Sequence, residues 1–314
     1  MQEKLTDQEL ERLQKKAKGR VILWGICTAI VFVLVLIVFG MYMYHDTEYA
    51  IYERIFAAIV GPIVVAGGFA GLFYPLFVKR SYENFNLSFK NKYVLPTLQS
   101  AQLFENLEYQ PFGGLSYDEI RDGAVVNCGQ REYFHSEDLL TGKYQDIRFS
   151  YSDIETKRMV RRGKKRELQT IFEGQVMIFS SFDSTKTSFG HLQIFEKEFL
   201  SNIEGWTAQN KVKSEDEVFN KRFTVYAADP HNAFYILTPR MLEQITRLAD
   251  RVGKQIAITF TGPIMYVAIH RTRSMFNGYV DKSIATQQQD ILDDADLLRQ
   301  AGDLLILEMA SMSL

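Results

Sequence analysis

Two long apolar runs dominate the first quarter of the chain, at residues 21–44 and 55–78, with about ten mostly polar residues between them. Each run exceeds the roughly 18 uncharged residues that a helix needs to cross the ~30 Å hydrocarbon core of a bilayer. The pattern predicts a two-helix transmembrane hairpin. A cleaved signal peptide is disfavoured because the first run is too long, lacks a small-residue cleavage site before Tyr42 and precedes a second span.

Charges around the two spans predict their orientation. The connection between the spans is acidic, and no charged residue lies inside either span, which favours an anchor over a transporter. Because an excess of basic residues marks the cytoplasmic side, both termini are predicted to be cytoplasmic. The basic residues that flank the hairpin are Lys15, Lys16, Lys18, Arg20, Lys79, Arg80, Lys90 and Lys92.

Small residues in the second span indicate close helix packing. Gly67 and Gly71 have the four-residue spacing that lets two helix backbones approach each other. Packing against the first span of the same chain is favoured over packing between two chains, and the second alternative would make a homo-oligomer.

The remaining chain divides around the hairpin. Residues 1–20 form a tail, the hairpin occupies 21–78, a juxtamembrane helical stem occupies 79–103, and a cytoplasmic α+β domain occupies 104–314. Aromatic residues in the stem recur at steps of three and four, as expected of an amphipathic helix, and Pro96 should interrupt it.

Beyond the stem the pattern changes to short runs rich in aromatic and β-branched residues with turn residues between them. It predicts a hairpin around Thr141-Gly142-Lys143 and a second strand pair joined at residues 183–186. It also predicts a short strand at 233–237 and a hairpin around Thr261-Gly262-Pro263. The predicted fold class is therefore α+β, with an antiparallel sheet and helices packed against it.

Helices are predicted where capping residues precede an apolar stripe. Ser116 with Glu119 forms a capping box, and Thr238-Pro239 begins a helix that ends at Gly253. The last predicted helix, 287–312, carries a heptad-like apolar seam that we expect to pack on the chain's own sheet rather than on a second chain. Four acidic residues near its start are expected to favour the positive end of the helix dipole: Asp290, Asp293, Asp294 and Asp296.

The composition of the chain argues against several classes of function. With 36 basic and 38 acidic residues the net charge is -2, which provides no electrostatic footprint for nucleic acid. Two cysteines allow neither a disulfide framework nor a cysteine-based metal site, and no histidine pair has the spacing of a helical zinc site. No phosphate-binding glycine loop or nucleophile elbow is present. We therefore predict no cofactor, no metal and no nucleic-acid partner.

Four segments resemble a known family when they are taken in order: residues 135–143 (HSEDLLTGK), 172–174 (FEG), 223–229 (FTVYAAD) and 235–239 (YILTP). Together they are similar to a bacterial family of membrane proteins that carries domain of unknown function 3137. The resemblance covers most of residues 104–276. It implies a bacterial multi-pass protein of the inner membrane, and it carries over no catalytic residues.

One scattered group of residues could support catalysis. His135 and Glu137 should lie on one face of a strand, while Ser136 and Asp138 should lie on the other. His135 and Glu137 could form the site of a membrane-tethered hydrolase or transferase together with Asp229 and His231. A polar strand entry and an ordinary turn are the structural alternatives, and we favour them, so an enzyme is the less favoured hypothesis.

The strongest charge feature is a run of basic residues expected between strands that end near Glu155 and begin near Glu167. It could bind anionic lipid headgroups, and a solvated hairpin tip is the alternative. The sequence thus favours a membrane-anchored binding or scaffolding module that contacts the bilayer, anionic headgroups or a protein partner. The run comprises Lys157, Arg158, Arg161, Arg162, Lys164, Lys165 and Arg166.

Overall fold

The computed structural model describes residues 5–45, 51–163, 165–181, 191–200, 210–253 and 255–312. The chain forms two compact units. The first contains Met1–Lys92 with Asn277–Gln287, and the second contains Tyr93–Phe276 with Gln288–Leu314.

The helices alternate with strands only in the second unit. In chain order they are α1 (Asp7–His45), α2 (Ile51–Tyr74), α3 (Arg80–Phe89), α4 (Leu95–Ser100), α5 (Tyr117–Gly123), α6 (Lys197–Leu200), α7 (Glu217–Arg222), α8 (Pro230–Ile236), α9 (Pro239–Val252) and α10 (Ile284–Met312).

The described strands form one antiparallel sheet in the order β1-β2-β3-β4-β9-β8-β5-β7-β6. The α+β class and the two long apolar helices ahead of the sheet are thereby confirmed. The strands are β1 (Glu105–Gln110), β2 (Phe134–Tyr144), β3 (Ile147–Arg162), β4 (Lys165–Ser181), β5 (His191–Glu196), β6 (Asn210–Val212), β7 (Phe223–Ala227), β8 (Ile256–Thr261) and β9 (Ile264–His270).

In the first unit, α1 and α2 form the predicted hairpin. By length and composition, α1 and the helical stretch from residue 55 to 100 can each cross a membrane. In their most apolar 18-residue windows, 0% and 11% of the residues are buried, so neither resembles the core helix of a soluble protein. The indole Nε1 of Trp24 donates to the carbonyl of Ala70 at 3.3 Å, which joins the two helices by a hydrogen bond.

The glycines of the second span differ in how closely α1 approaches them. A Cβ atom added to Gly67 or Gly71 would meet nothing within 4 Å, so the described helices leave room for a side chain at both positions. The close approach lies at Gly61 instead, where an added Cβ would be 2.5 Å from the ring of Phe39. The part that Gly67 and Gly71 play in helix packing, within one chain or between two, stays a prediction.

The stem remains helical through its prolines. A π-helical segment, Pro75–Lys79, joins α2 to α3, and a second one, Lys90–Val94, joins α3 to α4. Pro96 lies in the first turn of α4, and Val94 ahead of it keeps helical φ and ψ angles, so the proline does not interrupt the helix as expected.

Two strand connections differ from the prediction. The hairpin of β2 and β3 turns at residues 145 and 146, with Gln145 at φ 52°, and the expected turn around Gly142 lies inside β2. The strands on either side of residues 183–186 do not pair with each other, because β4 pairs with β3 and β9 whereas β5 pairs with β7 and β8. The expected turn at 183–186 itself lies outside the described residues.

The short strand expected at 233–237 is a helix. Asp229 caps α8 by accepting a hydrogen bond from the N–H of His231, and Pro230 occupies the first turn. The same cap-and-proline pattern begins α9 at Thr238, and α9 ends at Gly253 in the left-handed conformation as predicted. The capping residue and the proline together indicate a helix here, so the prediction of a turn at residues 229–232 is wrong.

Helix α10 packs on one face of the sheet, which agrees with the prediction. A Cβ added to Gly302 would meet Tyr144 at 2.8 Å and Phe179 at 3.4 Å. Its acidic residues do not serve the helix dipole, however, because none lies in the first turn. Asp290, Asp294 and Asp296 form ion pairs instead, including Asp294 with Arg271 at 2.7 Å.

A basic ribbon as the candidate functional site

Strands β3 and β4 extend beyond their neighbours in the sheet. Pairing of β2 with β3 ends at Thr156, and pairing of β9 with β4 ends at Gly174. Residues 157–162 pair with 165–170, and no other described strand pairs with them. This two-stranded segment, residues 157–170, is called the basic ribbon below. At about 3.4 Å per residue it is roughly 20 Å long.

The ribbon corrects the expectation of a loop between Glu155 and Glu167. Arg162 is the register partner of Lys165, which leaves only Gly163 and Lys164 between the strands. Gly163 has a φ of 62°, as type I′ hairpin turns require. Lys164 lies outside the described residues. The other six basic residues predicted for this site all lie on ribbon strands.

One face of the ribbon combines apolar and basic groups. Directly opposed residues of an antiparallel pair project to the same face. Met159 is opposite Leu168. Two residues nearer the tip, on the same face, Arg161 is opposite Arg166. Met159 and Leu168 are 38% and 47% exposed. An exposed apolar pair therefore lies beside an arginine pair, and Lys157 lies on its other side.

The second face is polar throughout most of its length. Arg162 is opposite Lys165 at the tip, Val160 is opposite Glu167, and Arg158 is opposite Gln169 near the base. Charge on this face is partly balanced by Glu167, so the two faces of the ribbon are chemically different.

Like charges lie opposite each other at the tip in two successive register pairs. Such pairs destabilise a sheet, by roughly 0.2–1 kcal/mol each. Among the described residues no ion pair joins Arg161, Arg162, Lys165 or Arg166 to a carboxylate, and all four are exposed. Lys157, at the base, pairs with Glu155 at 2.7 Å. The unneutralised positive charge is therefore concentrated at the far end of the ribbon.

The base of the ribbon is held by the segment that precedes β2. The N–H of Gln130 donates to the carbonyl of Lys157 at 2.9 Å, and the N–H of Met159 donates to Oε1 of Gln130 at 2.7 Å. Gly129 makes this approach possible, with a φ of 61° and an added Cβ that would be 2.3 Å from the Lys157 carbonyl oxygen. These contacts fix the direction in which the ribbon leaves the sheet.

The alternative catalytic residues form two separate pairs. His135 Nε2 lies 3.9 Å from Glu137 Oε2 on one strand face, and the His135 side chain is 67% exposed. Asp229 and His231 are joined by the helix cap of α8. Strands β3, β4, β9, β8 and β5 lie between β2 and β7 in the sheet, and within the described part of the chain no hydrogen bond or ion pair joins the two pairs. The structure does not gather the four residues.

Asp138 departs from the strand alternation because the register shifts after Glu137. It is fully buried with a φ of 61°, and its carboxylate accepts hydrogen bonds from the hydroxyls of Tyr109 and Ser274. Burial, followed by the nearby Asp138, raises the pKa of Tyr109 well above its usual range. The alternation along the strand did not predict this buried polar cluster. Its hydroxyl groups and its carboxylate bond to each other, which indicates a structural role.

No group of three or more His, Cys, Asp or Glu side chains within the described ranges could hold a metal ion. No curated protein and no solved structure matches the chain. Residues 170–305 match the model of a family described as protein of unknown function (DUF3137). The match begins within the second strand of the ribbon and contains three of the four segments on which the resemblance was based. Residues 170–305 are therefore a domain of the family of unknown function 3137.

Proposed function

We propose that this protein is a two-span protein of a bacterial inner membrane, with both termini and the sheet unit on the cytoplasmic side. The sheet unit is a non-catalytic binding module, and its basic ribbon binds the anionic headgroups of lipids. The basic residues that flank the hairpin support this orientation, because such residues are retained on the cytoplasmic side.

The observation that carries the proposal is the mixed face of the ribbon. Arg161 and Arg166 would contact phosphate groups, and Met159 and Leu168 would enter the boundary between headgroups and acyl chains. A basic residue near an anionic surface contributes about 1 kcal/mol. Burial of an apolar side chain of this size contributes at most about 1.5–3 kcal/mol. Both terms favour a surface that is anionic and apolar at once, which a lipid leaflet provides.

Tethering makes a modest affinity sufficient. The ribbon and the hairpin belong to one chain, so binding of the ribbon to lipid is intramolecular once the hairpin is inserted. Effective concentrations for such linked sites are on the order of millimolar. The ribbon could therefore respond to the local content of anionic lipid without dissociation of the protein from the membrane.

The test uses the full chain reconstituted into nanodiscs. An environment-sensitive fluorophore is attached at Met159→Cys in a Cys27→Ala background, since the remaining Cys128 is only 7% exposed. We expect a blue shift in discs that contain phosphatidylglycerol, no shift in phosphatidylcholine alone, and loss of the shift at high salt. The same label at Val160→Cys, on the second face, should shift less.

Charge reversal provides the specificity control. Arg161→Glu combined with Arg166→Glu should abolish the shift at Met159→Cys. Equal spectra in neutral and anionic discs, or a shift unaffected by charge reversal, would contradict the proposal. Salt-sensitive capture of an acidic protein in neutral discs would instead assign the ribbon to a protein partner.

A further inference from the structure

A groove runs between α1 and α2 of the hairpin. It encloses about 250 Å³. Its lining consists of Leu23, Trp24 and Cys27 from α1, Phe69 and Phe73 from α2, and Phe77 from the π-helical segment that follows α2. Its lining is almost wholly apolar, with the exception of Arg20 at one end. Leu23 and Phe77 are 59% and 53% exposed, so the groove is open along its side.

Aromatic packing keeps one wall of the groove continuous. The rings of Phe69 and Phe73 are 4.4 Å apart, and those of Phe73 and Phe77 are 5.8 Å apart. The Trp24 ring meets Tyr74 edge to face at 5.4 Å, while its indole N–H is already bonded to a backbone carbonyl. The wall therefore offers only carbon surface, which suits an acyl chain.

Arg20 is fixed at the polar end of the groove. One of its terminal nitrogens donates to the hydroxyl of Ser81. A guanidinium has five N–H donors, so this one bond leaves several for an oxyanion, and guanidinium geometry matches phosphate. Within the described part of the chain no carboxylate forms an ion pair with Arg20.

The depth of the groove matches a single leaflet. Cys27 lies seven residues beyond Arg20 on α1, which is about 10 Å at 1.5 Å per residue. Half of the hydrocarbon core is about 15 Å thick. The groove thus begins at the polar boundary and ends within one leaflet, as expected for one lipid chain and not for a transport path.

We infer that this groove binds one phospholipid with an anionic headgroup, its phosphate on Arg20 and one acyl chain along the phenylalanine wall. A second copy of the chain fits less well, because it would place the Arg20 cation against a helix in the membrane without a counter-ion. The inference rests on the membrane placement under the proposed function and is independent of the ribbon.

The experiment uses the fluorescence of Trp24. The chain contains two tryptophans, so Trp206→Phe leaves Trp24 as the single one. The full-length variant is reconstituted into phosphatidylcholine bilayers with small fractions of brominated phosphatidylglycerol or brominated phosphatidylcholine, since bromine quenches tryptophan on contact. We expect the anionic lipid to quench several-fold more at equal mole fraction.

Arg20→Gln should bring the two lipids to equal quenching. Arg80→Gln is the matched control, because it removes a charge at the same boundary from a residue that does not line the groove. Equal quenching by both lipids in the starting protein, or an equal loss in both variants, would overturn the groove site. So would efficient crosslinking of Cys27 between two chains in every lipid.

Failure of the groove and failure of the membrane placement give different results. A hairpin that is not inserted would show no quenching by either lipid, which refutes both proposals. An inserted hairpin without the site would be quenched by both lipids equally. The ribbon variant Arg161→Glu with Arg166→Glu should retain the anionic preference at Trp24.

Discussion

Arg161 lies directly opposite Arg166 near the end of the ribbon, and the next register pair joins Arg162 to Lys165. Each pair destabilises the ribbon, because like charges at directly opposite positions repel each other. A ribbon optimised for stability would place carboxylates at one member of each pair. Stability and binding should therefore respond in opposite directions to the same substitution.

Arg166→Glu should make the ribbon more stable and less able to bind lipid. The new cross-strand ion pair with Arg161 should add a few tenths to about 1 kcal/mol of stability. Reversal of one charge removes about 2 kcal/mol of surface attraction, or roughly 30-fold in binding to anionic vesicles. Thermal unfolding and vesicle flotation of the full chain measure the two effects. Arg240→Glu, on the exposed side of α9, should change neither by as much.

A loss of stability in Arg166→Glu would mean that the arginine pair is held by contacts other than those described above. Unchanged flotation would show that the charge of the ribbon does not contribute to lipid binding.

Gly129 and Gly163 form a matched pair for testing the base of the ribbon. Their φ angles are 61° and 62°, so alanine should cost each about 1 kcal/mol in backbone strain. At Gly163 the new methyl group meets open space, whereas at Gly129 it would be 2.3 Å from the carbonyl of Lys157. We expect Gly129→Ala to be clearly more destabilising and to increase amide exchange at Gln130 and Met159. Equal destabilisation in chemical denaturation would show that the base is not closely packed.

Asp138→Ala should be among the most destabilising changes in the sheet. It leaves the buried hydroxyl of Tyr109 without its acceptor, and we expect a loss of about 2–4 kcal/mol. Asp138→Asn should cost less, because asparagine keeps an acceptor and adopts positive φ more readily than most residues. Urea denaturation of the two variants checks this order. The reverse order would assign the effect to the charge and not to the hydrogen bond.

Local signals predicted α9 well. The cap at Thr238, the apolar stripe that follows and the stop at Gly253 act within one helix, so the sequence alone located α9. Strand pairing could not be located in this way. The partners of β4 and β5 come from β9, β7 and β8, which are distant in sequence, and the choice among them depends on packing across the whole sheet.

The sequence predicted the charge of the candidate site and not the arrangement of its side chains on two faces. The basic run is visible in the sequence, but its two faces depend on register, and register depends on where the chain turns. A turn at Gly163 places Met159 opposite Leu168. A loop from residue 156 to 166, as expected from the charge density, would have left these apolar residues without a common face. Asp138 was misplaced for a similar reason, since the register shift after Glu137 breaks the alternation.

The thiol of Cys128 should make stability depend on pH in the alkaline range. Burial raises its pKa to about 12, whereas an unfolded chain has a thiol pKa of about 8.5. Between these values the unfolded state loses the proton and the folded state keeps it, so unfolding is favoured increasingly as pH rises. The stabilisation is fully present below about pH 8.5 and is lost from there toward pH 12.

Cys128→Ala removes this contribution, so the variant is the reference for the starting protein at each pH. From pH 8 to pH 10 the free energy of unfolding of the starting protein should fall by about 1–2 kcal/mol more than that of the variant. Urea denaturation at the two pH values measures the difference, and the tyrosines cancel because both proteins contain them. At pH 8 the folded thiol should also resist iodoacetamide and react only after unfolding. Parallel pH profiles, or rapid alkylation of the folded chain, would place Cys128 in contact with solvent and remove the argument.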